Sequence, residues 1–146
     1  MNGFFLRAES FFEFATVAEA TSGPLAMENV FERSLHEQSH SESFLALALE
    51  RFGPRGLYIL DEPEAALSLT GQLALMRRIH DLVRGNSQFV VATHSPILLG
   101  YPDAAIFELG AEGVTPREYE ETDQYQLTRD FLENRERFLR HLLVED

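Results

Sequence analysis

Gly56-Leu57-Tyr58-Ile59-Leu60-Asp61-Glu62-Pro63-Glu64 is a short apolar run that ends in two adjacent acids and a proline, and its reading decides the fold. A continuous apolar run of this length, without polar alternation, is the pattern of a strand buried in a parallel sheet. Carboxylates at its carboxyl end emerge at the sheet edge, where α/β proteins bind their ligands.

Downstream, Leu69, Leu73 and Met76 together with Leu75, Ile79 and Leu82 predict an amphipathic helix to about Arg84, closed by Gly85-Asn86. Gln88 to Thr93 is a second apolar strand. Strand, helix, strand in this order implies a right-handed crossover and a parallel sheet. Ala104 to Leu109 and Val114 to Tyr119 flank Gly110-Ala111-Glu112-Gly113 and predict a β-hairpin. A last helix is expected from about Asp123 to Leu143, with Leu127, Phe131, Phe138 and Leu142 as its buried face.

Upstream, Phe4 to Ala20 is rich in aromatics, and Phe11, Phe12, Phe14, Val17 and Ala18 fall close to helical spacing. One helix is expected, its Phe stripe packing into the core, with Thr21-Ser22-Gly23-Pro24 ending it. Leu25 to Gln38 has no firm period and suggests a loop or short helix. From Ser39 to Arg51, Phe44, Leu45, Ala48 and Leu49 form a helical stripe that Gly53-Pro54 stops. There is no internal repeat and no low-complexity segment.

The chain has 146 residues, 45% apolar and 11% aromatic, which suits a single globular domain and excludes disorder. No apolar run reaches the roughly 18 to 20 residues needed to span a bilayer, and no signal-peptide pattern is present, so a soluble cytoplasmic location is expected. Without cysteine there are no disulfides or thiolate metal sites, and any metal takes oxygen or imidazole ligands. A net charge of −12 argues against non-specific nucleic-acid binding, which depends on clustered positive charge.

The run Leu57-Tyr58-Ile59-Leu60-Asp61-Glu62-Pro63 resembles the Walker B segment of ABC-type ATPases. Two further segments agree with that family in order and spacing. Ser39-His40-Ser41-Glu42 resembles the signature motif, and Thr93-His94-Ser95-Pro96 resembles the switch-histidine segment. The resemblance covers nearly the whole chain and is nearest to the soluble, non-transporter RecF and chromosome-maintenance branch. It implies a partial P-loop NTPase fold: α/β, a parallel sheet with flanking helices, then a β-hairpin and helix. Within one such domain, 1–52 would be the signature-helix region, 53–122 the sheet core with Walker B and the switch histidine, and 123–146 the last helix.

All 12 basic residues are arginine. A P-loop of the form G-x-x-x-x-G-K-[ST] needs its lysine and its glycine run to hold the phosphates, and this sequence has no lysine and no such run. The retained downstream motifs favour a chain that is the carboxyl-terminal part of a longer ATPase over a degenerate standalone subunit. The isolated chain is then expected to be inactive.

What the resemblance implies about roles is specific. ATP and Mg²⁺ are the cofactors. Asp61 helps hold the metal, and Glu62 positions or deprotonates the attacking water. Adjacent on a strand end, the two carboxylates face opposite ways and cannot do the same job; the bland alternative is two solvated acids capping a helix that begins at Pro63. His94 at the same edge would contact the γ-phosphate, against the alternative of a structural histidine. Ser39, His40, Ser41 and Glu42 would meet nucleotide held by an opposite subunit, although S-x-x-E before an apolar run is also a plain capping box. Ser41 departs from the family's glycine. Ser68 stands where the family's D-loop has an acid, against the alternative of an ordinary first helical turn. His36, His80 and His141, and His40 outside its motif, read as surface or packing residues.

The implied assembly is a head-to-tail dimer, with each active site made from both subunits. A non-catalytic partner that lends Ser39 and its helix to another ATPase is the alternative, and an ABC transporter's ATP-binding subunit is a third. What the ATP cycle drives is left open, because specificity of this fold lies in attached elements.

Overall fold

The computed structural model describes residues 2–7, 52–111 and 113–143. Three parallel strands lie in the order β1-β2-β3: β1 (Asn2–Arg7), β2 (Gly56–Asp61) and β3 (Gln88–Ala92). Between β2 and β3 come a 3-10 turn (Pro63–Ala66) and helix α1 (Leu69–Arg84). The expected strand, helix and strand are all present, in a mixed α/β arrangement compatible with a partial P-loop fold.

One face of β2 is buried by Tyr58 and Leu60, and α1 contributes Leu75, Ile79 and Leu82 to the same core. Phe52 and Tyr58 pack with ring centroids 4.4 Å apart, and Tyr58 stacks on Phe89 at 5.0 Å. The Tyr58 hydroxyl donates to the Gly53 carbonyl at 2.7 Å and accepts from the Gly53 amide at 2.8 Å, so this buried phenol is satisfied. A Cβ at Gly56 would fall on the Tyr58 ring, which is why glycine starts this strand. On the other face, Phe5, Ile59 and Val90 are exposed and share one register row.

The first strand corrects an expectation. Phe4 to Arg7 belongs to β1 and not to the helix predicted from Phe4 to Ala20, whose remainder lies outside the described residues. A short apolar run fits strand or helix equally by period, and here pairing with the distant β2 decides. The stripe of α1 is only half buried as well. Leu69 and Leu73 are exposed, while Gln72, unremarked in the sequence, is buried.

The chain divides into two compact units, one ending at Thr93 and the other beginning at His94. The second contains a short helix α2 (Pro96–Leu99), the predicted hairpin as β4 (Ile106–Gly110) and β5 (Gly113–Arg117), a 3-10 turn (Tyr119–Glu121), and helices α3 (Asp123–Glu133) and α4 (Arg135–Leu142). The single helix expected from Asp123 to Leu143 is therefore two. Asn134 interrupts it with non-helical dihedrals (φ −128°, ψ 35°) and caps the first helix. Of the predicted buried face, Leu127 and Leu142 are exposed. Phe131 and Phe138 meet edge to face across the break, 5.7 Å between centroids. The Tyr119 hydroxyl donates to the Pro96 carbonyl at 2.6 Å and ties the second 3-10 turn to the start of α2. Among the described residues, no helix is long and apolar enough to cross a membrane.

Candidate functional site

The carboxyl edge of the parallel sheet is built from its last rung. Arg7, Asp61 and Ala92 are register partners on β1, β2 and β3. Arg7 Nε donates to Asp61 Oδ2 at 2.8 Å, although the two residues are 54 apart in sequence. These are the only charged residues in the described strands β1, β2 and β3 of this sheet. Everything else there is apolar, glycine or amide, so the charge of the sheet is concentrated at this end.

Glu62 is the first residue beyond β2. Its amide donates to the Ala92 carbonyl at 2.8 Å, which extends the β2–β3 ladder by one step. Its backbone then turns into the left-handed region, φ 47° and ψ 51°. For a long non-glycine side chain that conformation is strained by on the order of 1–2 kcal/mol. Such strain persists where the surroundings over-determine it, and it clusters at functional sites. Pro63 follows as a buried residue and starts the 3-10 turn.

These details bear on the choice between an acid used for capping and an acid used for chemistry. Glu62 occupies the N-cap position, but its carboxylate makes no cap hydrogen bond. The turn is closed instead by the backbone, with the Ala65 amide donating to the Glu62 carbonyl at 3.0 Å. The side chain is exposed. Glu62 also stands past the strand, in a turn, while Asp61 is bonded to Arg7 on the last rung.

Ser68 is the N-cap of α1, and its hydroxyl accepts from the Gly71 amide at 3.1 Å. That is the ordinary duty of a serine at a helix start. Ser95 does the same for α2: its buried hydroxyl accepts from the amides of Ile97 at 3.1 Å and Leu98 at 3.2 Å. His94, exposed, opens the second unit two residues after Ala92. Ser39, His40, Ser41 and Glu42 lie outside the described residues.

Sequence reasoning missed Arg7. The signal was a cation ending the apolar run Gly3-Phe4-Phe5-Leu6, and it was hidden once that run was taken as helix. Among the described residues, no group of three or more His, Cys, Asp or Glu could by itself hold a metal. The donor set nonetheless suits Mg²⁺, which keeps several waters and takes only one or two carboxylates when phosphates supply the rest.

Residues 41–100 match the model of a family described as "AAA domain, putative AbiEii toxin, Type IV TA system". The match spans less than half of the chain and includes both β2 and β3 with Asp61, Glu62 and His94. It points to a P-loop-type, nucleotide-binding ATPase domain at that coarse level, with ATP and Mg²⁺ as the ligands of such domains. No curated protein matches the chain. No solved structure matches it either.

Proposed function

With a nucleotide-binding, ATPase-like domain as the premise, we propose that this chain supplies the metal- and water-handling edge of an ABC-type site, of the RecF and chromosome-maintenance kind. The supporting observation is the Asp61-Glu62 step. A half-buried strand delivers one carboxylate at its last rung, and the next residue sits in a strained left-handed turn with its amide donating a hydrogen bond to the Ala92 carbonyl.

The roles follow from that separation. Asp61 would hold Mg²⁺, and the ion when bound would supply charge neutralisation at the phosphate oxygens. Glu62, one residue past the strand, positions the attacking water and accepts its proton. His94, two residues after the carbonyl that receives the Glu62 amide, contacts the γ-phosphate. Ser39 to Glu42, which lie outside the described residues, meet nucleotide on an opposite subunit, and Ser68 adds to α1 capping a contact along that dimer interface.

A phosphate-gripping lysine is not in this sequence. The chain alone therefore binds nucleotide weakly and hydrolyses little or none. Amide chemical-shift mapping during a Mg·ATP titration tests the site. The expected result is perturbation centred on Asp61, Glu62, Thr93 and His94, lost in Asp61→Ala and kept in Glu62→Gln. Perturbation elsewhere, or none at millimolar nucleotide, would remove the proposal. Robust Mg²⁺-dependent turnover by the 146-residue chain would remove its inactivity alone.

A further inference from the structure

The sheet places its two charged residues against each other on its last rung, and one of them is the carboxylate assigned to the metal. We infer that Arg7 is a positioning residue of this edge: an internal counter-ion that holds Asp61 while the site is empty and transfers to phosphate when metal and nucleotide arrive. The inference rests on the nucleotide reading above.

The argument begins with competition. A carboxylate oxygen 2.8 Å from a guanidinium nitrogen is already engaged in a charge-assisted hydrogen bond. A hydrated divalent cation approaching Asp61 must share that oxygen or displace the guanidinium, and the two cations repel. The Asp61 side chain is 28% exposed and that of Arg7 54%, so the pair is weak enough to open. A buried pair would lock the metal out.

The second step is geometric. Arg7 is anchored by the β1–β2 register, so a guanidinium released from Asp61 stays at the same edge. Its planar fork matches phosphate oxygens better than a point charge does. In a chain whose basic residues are all arginine, it is the cation that the strands themselves deliver to this place.

A purely structural cross-strand pair is the competing account, and it would steady the sheet without touching ligand affinity. The two accounts separate on a split measurement with Mn²⁺ as probe, its free concentration read by electron paramagnetic resonance, followed by ADP titration at saturating Mn²⁺. For Arg7→Gln, affinity for Mn²⁺ alone is expected to rise about two- to fivefold, the range of an exposed ion pair. Affinity for ADP is expected to fall about fivefold or more. Arg7→Lys keeps the charge and loses the fork, so Mn²⁺ affinity stays within about twofold of the parent while ADP affinity still falls.

Opposite movements of the two affinities in Arg7→Gln support the inference. If both move the same way or neither moves, while Asp61→Ala abolishes Mn²⁺ binding, Arg7 is structural and the nucleotide reading survives. If the parent chain binds neither Mn²⁺ nor ADP, the site assignment fails and takes the role of Arg7 with it.

Discussion

Glu62 concentrates the tension between stability and use in one residue. Among the described residues, four other than glycine have positive φ: Arg55, Glu62, Asn86 and Asp103. Asparagine and aspartate tolerate that region because their short side chains bond locally, and glutamate does not share the advantage. A residue chosen for stability at position 62 would be glycine. Glu62→Gly is therefore expected to leave the unfolding free energy unchanged or raise it by up to about 1 kcal/mol, the relieved strain being partly offset by the greater freedom of the unfolded chain. Glu62→Val, β-branched in the same conformation, should lose about 1 kcal/mol or more. Denaturant melts of the three chains check the order. A Glu62→Gly chain clearly less stable than its parent would mean that the carboxylate is there for structure.

At the scale of elements, legibility depended on whether a segment's partner is local. β2 and β3 could be read because continuous apolar runs leave few alternatives, and α1 because its stripe repeats over several turns. β1 could not, since Phe4-Phe5-Leu6 suits either period and its partner begins at Gly56. The same blindness hid Arg7 from the candidate site, although Asp61 and Glu62 stood out at once. The break at Asn134 was equally invisible inside a helical pattern. The end of α1 was read correctly as to place, but its mechanism was not legible. Gly85 keeps an ordinary φ of −86° and Asn86 takes the left-handed position at φ 62°. The Ser87 amide donates to the Leu82 carbonyl at 2.9 Å and the Asn86 amide to the Val83 carbonyl at 3.0 Å, which is a Schellman cap. Asn86→Gly should stabilise by a few tenths of a kcal/mol up to about 1. Across the sheet, Leu60→Ala at a fully buried position should cost about 2–5 kcal/mol. Val90→Thr on the exposed face should stay within about 0.5 kcal/mol. Equal costs for those two would mean that the Phe5, Ile59 and Val90 face is covered in solution.

For the whole molecule the governing quantity is charge. Twenty-four acids against 12 arginines leave a net −12 in a 146-residue chain. Two opposed effects of salt must be weighed. Ion pairs such as Arg77–Asp81, Arg117–Glu108 and Arg129–Glu133 are weakened by screening, but they are exposed, and each contributes little to stability. Repulsion among the excess acids is relieved by the same screening and acts over all of them at once. Raising ionic strength from about 0.01 M to 0.15 M shortens the Debye length from about 30 Å to 8 Å, below the spacing of most surface charges. Repulsion should win. The thermal midpoint is expected to rise by roughly 2–5 °C, the size of a 1 kcal/mol change in a chain of this length. Sodium chloride and potassium chloride should act alike, because screening does not depend on the ion's identity. A falling midpoint would mean that the arginine pairs dominate, and the Arg7–Asp61 contact would then be a stronger lock on the Asp61 carboxylate than its exposure implies.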